Sequence, residues 1–161
     1  HSFGTDELIR QVTIGRQKGK VDGNIYFRAK AFINNHQNFQ ETIGESIYKY
    51  PALIPAMTWI DSIPPSEPTK LKAKRNENKV FLKWKSPNYK YKNDSAAYYV
   101  VYRFEEGEDI STKFSNKILS IQKNNEFIDS TAIKNTYYQY AVTSVDRLHN
   151  ESRGFALTEI Q

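Results

Sequence analysis

The chain is predicted to be mainly β: a small two-sheet sandwich, preceded by an α/β segment of helix, strand and helix. Three observations carry this reading. Residues 136–145 alternate with period two, are rich in β-branched and aromatic side chains, and lead to the polar turn Asn150-Glu151-Ser152. Six further short stretches of the same character share the C-terminal part of the chain, divided by polar turns. Finally, Pro64, Pro65 and Pro68 mark a boundary, upstream of which the apolar spacing becomes helical.

The strands follow in order. Residues 70–75 place Leu71 and Ala73 on one face, and residues 80–85 place Val80, Leu82 and Trp84 opposite Phe81, Lys83 and Lys85. Asn76-Glu77-Asn78 between them is a turn signal. In residues 97–104, Tyr98, Val100 and Tyr102 form one face and Tyr99, Val101 and Arg103 the other, as in a central strand covered on both sides. Residues 118–121 and 126–128 are weaker strands. Residues 136–145 turn Tyr138, Tyr140, Val142 and Ser144 inward, and residues 153–160 complete the set.

Upstream, residues 6–12 read as a helix, with Asp6 able to cap it and Leu8, Ile9 and Val12 at helical spacing. Residues 23–32 read as a strand with Ile25, Phe27, Ala29 and Ala31 on one face. Residues 38–50 read as a helix, where Phe39, Ile43 and Ile47 recur every four residues until Pro51. One strand without a sheet partner cannot make an independent α/β domain. The expected organisation is an α/β segment at 1–60, a Pro-rich semi-rigid linker at 61–68, and a sandwich at 69–161. The apolar faces of the first segment need cover, so packing on the sandwich or self-association is expected.

Of the 161 residues 14% are aromatic, including eleven Tyr, so rings supply much of the core volume. The net charge of +5 comes from 23 basic against 18 acidic residues. Lys70, Lys72, Lys74, Lys83 and Lys85 recur at every second position, the pattern of a solvated face that discourages edge pairing, and nucleic acid is not the expected partner. The absence of cysteine excludes disulfides, thiolate metal sites and a cysteine nucleophile. No apolar run approaches the ~20 residues of a membrane span. The chain starts His1-Ser2-Phe3 with no signal-peptide h-region, so an export signal of any parent protein is expected further upstream.

The motifs that invite chemistry are weak. Gly15-Arg16-Gln17-Lys18-Gly19-Lys20 has three residues between its glycines and Val21 after the lysine, so it reads as a basic loop and not a phosphate loop. Glu41 and Glu45 lie one helical turn apart, on the solvated side of their helix. A glycosidase instead needs two carboxyls held across a sugar in a cleft. Glu105, Glu106, Glu108 and Asp109 surround Gly107 as surface acid. His1, His36 and His149 are isolated, which gives no metal site, and no Gly-x-Ser-x-Gly elbow occurs. The loop 87–94 differs, because Tyr89, Lys90 and Tyr91 interleave rings with charge and could stack on sugars or reach an anionic partner.

Trp84 in the second strand, Tyr98-x-Val100-x-Tyr102 in the third and Tyr138-x-Tyr140-x-Val142-x-Ser144 in the sixth resemble an immunoglobulin-like fold, the fibronectin type III domain, over residues 66–160. The resemblance implies structural roles for Trp84, Tyr98, Tyr102 and Tyr138. It also implies a tyrosine corner in which the Tyr138 hydroxyl bonds upstream backbone near Ile133. Ser144 stands where that family more often has Ala, and no Arg-Gly-Asp is present. Asp6-Glu7-Leu8-Ile9-Arg10-Gln11, Gly23-Asn24-Ile25-Tyr26-Phe27-Arg28 and the run 50–59 (YPALIPAMTW) resemble the end of a bacterial glycosyl-hydrolase-like lipoprotein family. That family has a (β/α)8 barrel, often followed by a fibronectin type III module. The resemblance implies that 23–32 is the last barrel strand and 38–50 the last barrel helix, with Asn34, Asn35 and His36 in the loop where a barrel places substrate contacts.

The expected function is that of a non-catalytic accessory or structural piece of a secreted or cell-surface glycoside hydrolase-like protein. Its expected partner is the upstream catalytic barrel of the same polypeptide, and no cofactor or metal is expected. The alternative is a glycan- or protein-binding module that uses the Tyr89/Tyr91 loop, with carbohydrate as the partner.

Overall fold

The computed structural model describes residues 4–19, 21, 23–26, 30–35, 38–89 and 95–161. The chain divides into two compact units, residues 1–51 and 52–161.

In the first unit α1 (Thr5–Gln17) carries Asp6 and Glu7 in its first turn, where carboxylates suit the helix dipole. Its N-cap is Gly4, without a side-chain bond, so Asp6 lies inside the helix and does not cap it. The helix also runs five residues past the expected end at Val12. Val12 is buried, Ile14 is half-buried, and Arg16 donates to the Ile47 carbonyl at 2.7 Å. These contacts extend the packed stripe through residues expected to be a loop. A short α2 (Lys30–Ile33) and α3 (Phe39–Glu45) follow, with Ile43 buried. α3 stops well before Pro51: Gly44 weakens its last turn, and the Tyr48 N–H reaches back to the Ile43 carbonyl at 3.0 Å.

The strand expected at 23–32 needs correction where it is described. Among the described residues, 23–26 have no ladder partner, and 30–33 are the helical turn α2. Phe27 to Ala29 lie outside the described residues. The physical reason at 30–33 is local: the Asn34 N–H closes a helical turn on the Lys30 carbonyl at 3.0 Å, so these residues cannot continue a strand.

Among the described residues the second unit holds seven strands in two antiparallel sheets. β1 (Thr69–Asn76), β2 (Lys79–Lys85) and β5 (Glu126–Asp129) form one, in the order β1-β2-β5. β3 (Tyr98–Glu105), β4 (Ile118–Gln122), β6 (Tyr138–Val145) and β7 (Ala156–Ile160) form the other, in the order β4-β3-β6-β7. Each strand lies within three residues of its expected position. β1 and β2 are joined by a two-residue turn with Glu77 at φ +52°, and a bulge near Lys70, at φ +54°, bends the start of β1.

Between the sheets, Leu71, Val80, Leu82 and Trp84 meet Tyr99, Val101, Tyr138, Tyr140 and Val142. The Trp84 and Tyr99 rings pack edge to face with centroids 5.5 Å apart. A second cluster forms on the opposite face of the four-stranded sheet from Val100, Tyr102, Phe104, Ile118, Ala141 and Val145, with Leu53, Ile110 and Phe155 packed against it. Tyr98, Val100 and Tyr102 therefore face away from Trp84, and Tyr99 and Val101 supply the inner core. β6 is buried on both faces, so Ala141, Thr143 and Val145 are as enclosed as the alternate set expected inward.

Residues 52–68 run along this sandwich. The Met57 N–H donates to the Leu148 carbonyl at 2.9 Å and Asn150 Nδ2 to the Asp61 carbonyl at 3.0 Å. Pro65 and Pro68 are buried.

Candidate functional site

The loop after β2 begins in an anchored frame. Ser86 Oγ accepts from Tyr99 Oη and from Asn125 Nδ2, each at 2.8 Å, and Pro87 is buried. Tyr89, two residues on, is 56% exposed. Lys90 and Tyr91 lie outside the described residues.

The four residues expected to be structural all sit in the sandwich. Trp84 is buried in the inner core. Tyr98, on the outer face, hydrogen-bonds His149 Nδ1 at 3.0 Å. Tyr102 donates to Glu151 Oε1 at 2.7 Å, and burial together with that carboxylate pushes its phenol well above the usual range. The Tyr138 hydroxyl accepts the Ile133 N–H at 3.4 Å, at the crossing between β5 and β6. The guanidinium of Arg103 lies over the Tyr138 ring at 4.7 Å and that of Arg75 at 5.9 Å.

Around these residues lie carboxylate networks that the sequence reading missed. Asp129, at the end of β5, is 1% exposed. Its Oδ2 accepts from Arg103 and from Tyr140, each at 2.8 Å, while Oδ1 takes the Thr131 amide at 2.9 Å and hydroxyl at 2.7 Å. Burial raises the cost of its charge, yet the bonds from Thr131, Tyr140 and Arg103 together hold the carboxyl below the usual aspartate range. Arg75 donates to the Ile133 and Thr136 carbonyls and so closes the same end of the sandwich. The spacing Asp129-x-Thr131 was the available signal, because Asp bonds its own backbone two residues on in an Asx-turn.

At the other end, Asp146 organises the turn between β6 and β7. Its Oδ1 accepts the Leu148 amide at 2.8 Å and the Asn150 amide at 2.9 Å, and its Oδ2 accepts Asn150 Nδ2 at 2.9 Å. Glu151 Oε1 accepts from Thr143 as well as Tyr102, both at 2.7 Å. Every one of these carboxylates is spent on hydroxyls, amides or a guanidinium of the fold itself.

The acids considered for catalysis are likewise occupied or apart. Glu41 takes two bonds from Asn35 Nδ2, at 2.9 and 3.0 Å, while Asn35 Oδ1 receives the Gln40 amide at 2.8 Å. Asn35 thus joins α2 to α3. His36 lies outside the described residues. Glu108 accepts from Lys117 and from the Glu105 amide. Among the described residues no group of three or more His, Cys, Asp or Glu could hold a metal ion, and no helix is long and apolar enough to cross a membrane.

Sheets of three and four strands in these orders, packed around Trp84 and closed by Tyr138, define a fibronectin type III-like sandwich and not a catalytic barrel. The chain is related in sequence to Glycosyl hydrolase YngK of Bacillus subtilis (strain 168), with 34% identity over 152 residues. That match takes in 92% of this chain and 29% of that protein, so the chain spans under a third of its curated relative. No protein-family model matches. Among solved structures, titin kinase and its flanking domains superpose with a TM-score of 0.50 at 14% identity, over 60% of this chain and 17% of that one. That likeness is one of fold alone. A Fn3-like protein from Clostridium thermocellum gives a TM-score of 0.45 at 23% identity, over 60% of this chain and 92% of that one.

Proposed function

We infer that the chain is a non-catalytic bracing module of a longer, secreted glycoside hydrolase-like protein. The single observation behind this reading is the match to YngK, which takes in nearly all of this chain and 29% of that protein. On this reading residues 1–60 belong to the end of a catalytic (β/α)8 domain, and residues 23–26, which have no ladder partner among the described residues, would lie beside another barrel strand of the parent protein. The linker proposed at 61–68 then acts as a fixed strap, which the buried Pro65 and Pro68 and the Asn150–Asp61 bond support.

Two measurements test the reading. Glycosidase assays on the 161 residues should be flat, and measurable turnover would refute it. The parent protein, with residues equivalent to 69–161 deleted, should lose thermal resistance while its KM stays unchanged. A raised KM with unchanged stability would favour the second reading, glycan or protein capture by the loop that carries Tyr89. The exposure of Tyr89 supports that alternative, and loss of retention on a glycan array for Tyr89→Ala would establish it.

A further inference from the structure

The outer face of the three-stranded sheet has a composition that solvation does not explain. Across β1, β2 and β5, one rung sets Lys74 beside Phe81 beside Ile128, and the next sets Lys72 beside Lys83 beside Glu126. Lys79 and Lys85 continue β2 on the same face, above and below. Neighbours within a rung are about 4.8 Å apart and successive rungs on one face about 7 Å apart. Lys72 and Lys83 are thus directly opposed like charges, an arrangement that weakens a strand pair. The acid nearest them, Glu126, reaches Lys83 at only 3.9 Å, with both side chains largely exposed. At the centre Phe81 and Ile128 are 38% and 52% exposed, side by side. The face is concave: a hollow of about 750 Å³ is lined by these residues together with Gln122 and Asn124 from the end of β4 and the turn after it.

We propose that this hollow docks an acidic polysaccharide, with the Phe81–Ile128 centre against the apolar face of a sugar ring and Lys72, Lys74 and Lys83 on its carboxylates. Charge complementarity selects the partner. Three lysines, Lys72, Lys74 and Lys83, line the hollow against one glutamate, and their mutual repulsion is relieved when an anion lies among them. A single exposed ring beside an aliphatic side chain suits one pyranose, whereas binders of single-stranded nucleic acid present successive aromatic platforms to successive bases. At the rim Gln122 Nε2 is held by the Asn124 and Glu126 carbonyls, at 2.9 and 2.7 Å, so Asn124 is the side-chain amide offered to the neutral hydroxyls. This inference goes beyond the bracing role and does not rest on it.

Affinity electrophoresis of the 161-residue chain through polygalacturonate, with uncharged galactan and oligothymidylate as parallel probes, tests the proposal. The expected result is retardation by polygalacturonate, none by galactan, and release as salt rises toward molar strength. Lys72→Gln/Lys74→Gln/Lys83→Gln should weaken retardation by about tenfold. Phe81→Ser, which leaves every charge in place, should weaken it several-fold. Circular dichroism melts identify variants that keep the fold. No retardation by polygalacturonate overturns the proposal. So does retardation that survives the folded lysine variant, or oligothymidylate retardation of equal strength that ignores Phe81→Ser.

Discussion

The two sheets of the sandwich are built from similar strands yet treat their outer faces in opposite ways. In the three-stranded sheet, β2 alternates strictly, with Val80, Leu82 and Trp84 buried and Lys79, Phe81, Lys83 and Lys85 exposed. In the four-stranded sheet, β3 and β6 bury both sets, because Leu53, Ile110 and Phe155 lie over the outer face. Strict alternation marks a sheet with one covered face, and its loss marks a sheet with two. The comparison also separates the roles of charge. Outer charge on one sheet is lysine in excess of its single acid, Glu126, while acid near the other is bound into the fold through Glu151 and Asp146.

The largest effect should come from placing the same charge on the two outer faces. Val100→Lys buries an ammonium under Leu53 and Phe155 and should cost several kcal/mol, enough to unfold the unit. Phe81→Lys, at the corresponding central position of the other sheet, should shift stability by less than about 1 kcal/mol in urea titrations. Equal costs would erase the distinction between the faces.

Asp129→Ala leaves Arg103 partly buried without its partner and should cost about 3 kcal/mol. Because the Asp129 pKa is lowered by folding, its contribution is fully present above the usual aspartate value and is lost as pH falls through the lowered one. The melting temperature of wild type should therefore drop below about pH 4, and that acid limb should flatten in Asp129→Asn. Leu53→Ala uncovers part of the outer cluster and should cost about 1–2 kcal/mol, which measures how much the segment around Leu53 contributes. Tyr138→Phe removes one long hydrogen bond and should cost about 0.5 kcal/mol. Smallest of all, Glu77→Gly relieves a left-handed backbone in an exposed turn and should stabilise by about 0.5 kcal/mol, read as a slight rise in melting temperature.

The strands were legible because period-two patterning and turn residues are local signals, and each strand fell close to its expected place. Which of two apolar faces meets the other sheet was not legible. In β3 both Tyr98-Val100-Tyr102 and Tyr99-Val101 are apolar, so periodicity cannot choose between them. The helical segment was read less well. α1 outran its pattern because Arg16 found a carbonyl thirty-one residues away, and the end of the expected strand at 23–32 is the helical turn α2. Tyr89 could be picked out as a loop ring. Asp129-x-Thr131 signals a local turn, but the distant partners Arg103 and Tyr140 could not be picked out, because a carboxylate in a turn looks the same in sequence whether it meets water or a guanidinium.

By itself the sequence determined a seven-stranded sandwich, its aromatic core and the lysine alternation of β1 and β2, all set by side-chain period along single strands. Only the tertiary structure decided that residues 52–68 lie against the sandwich, that Glu151 and Asp129 are internal, and that the lysines surround Phe81 and Ile128. Those outcomes depend on which distant segments come together, and pairing across strands and sheets is set by the packing of the whole unit, which no local pattern encodes.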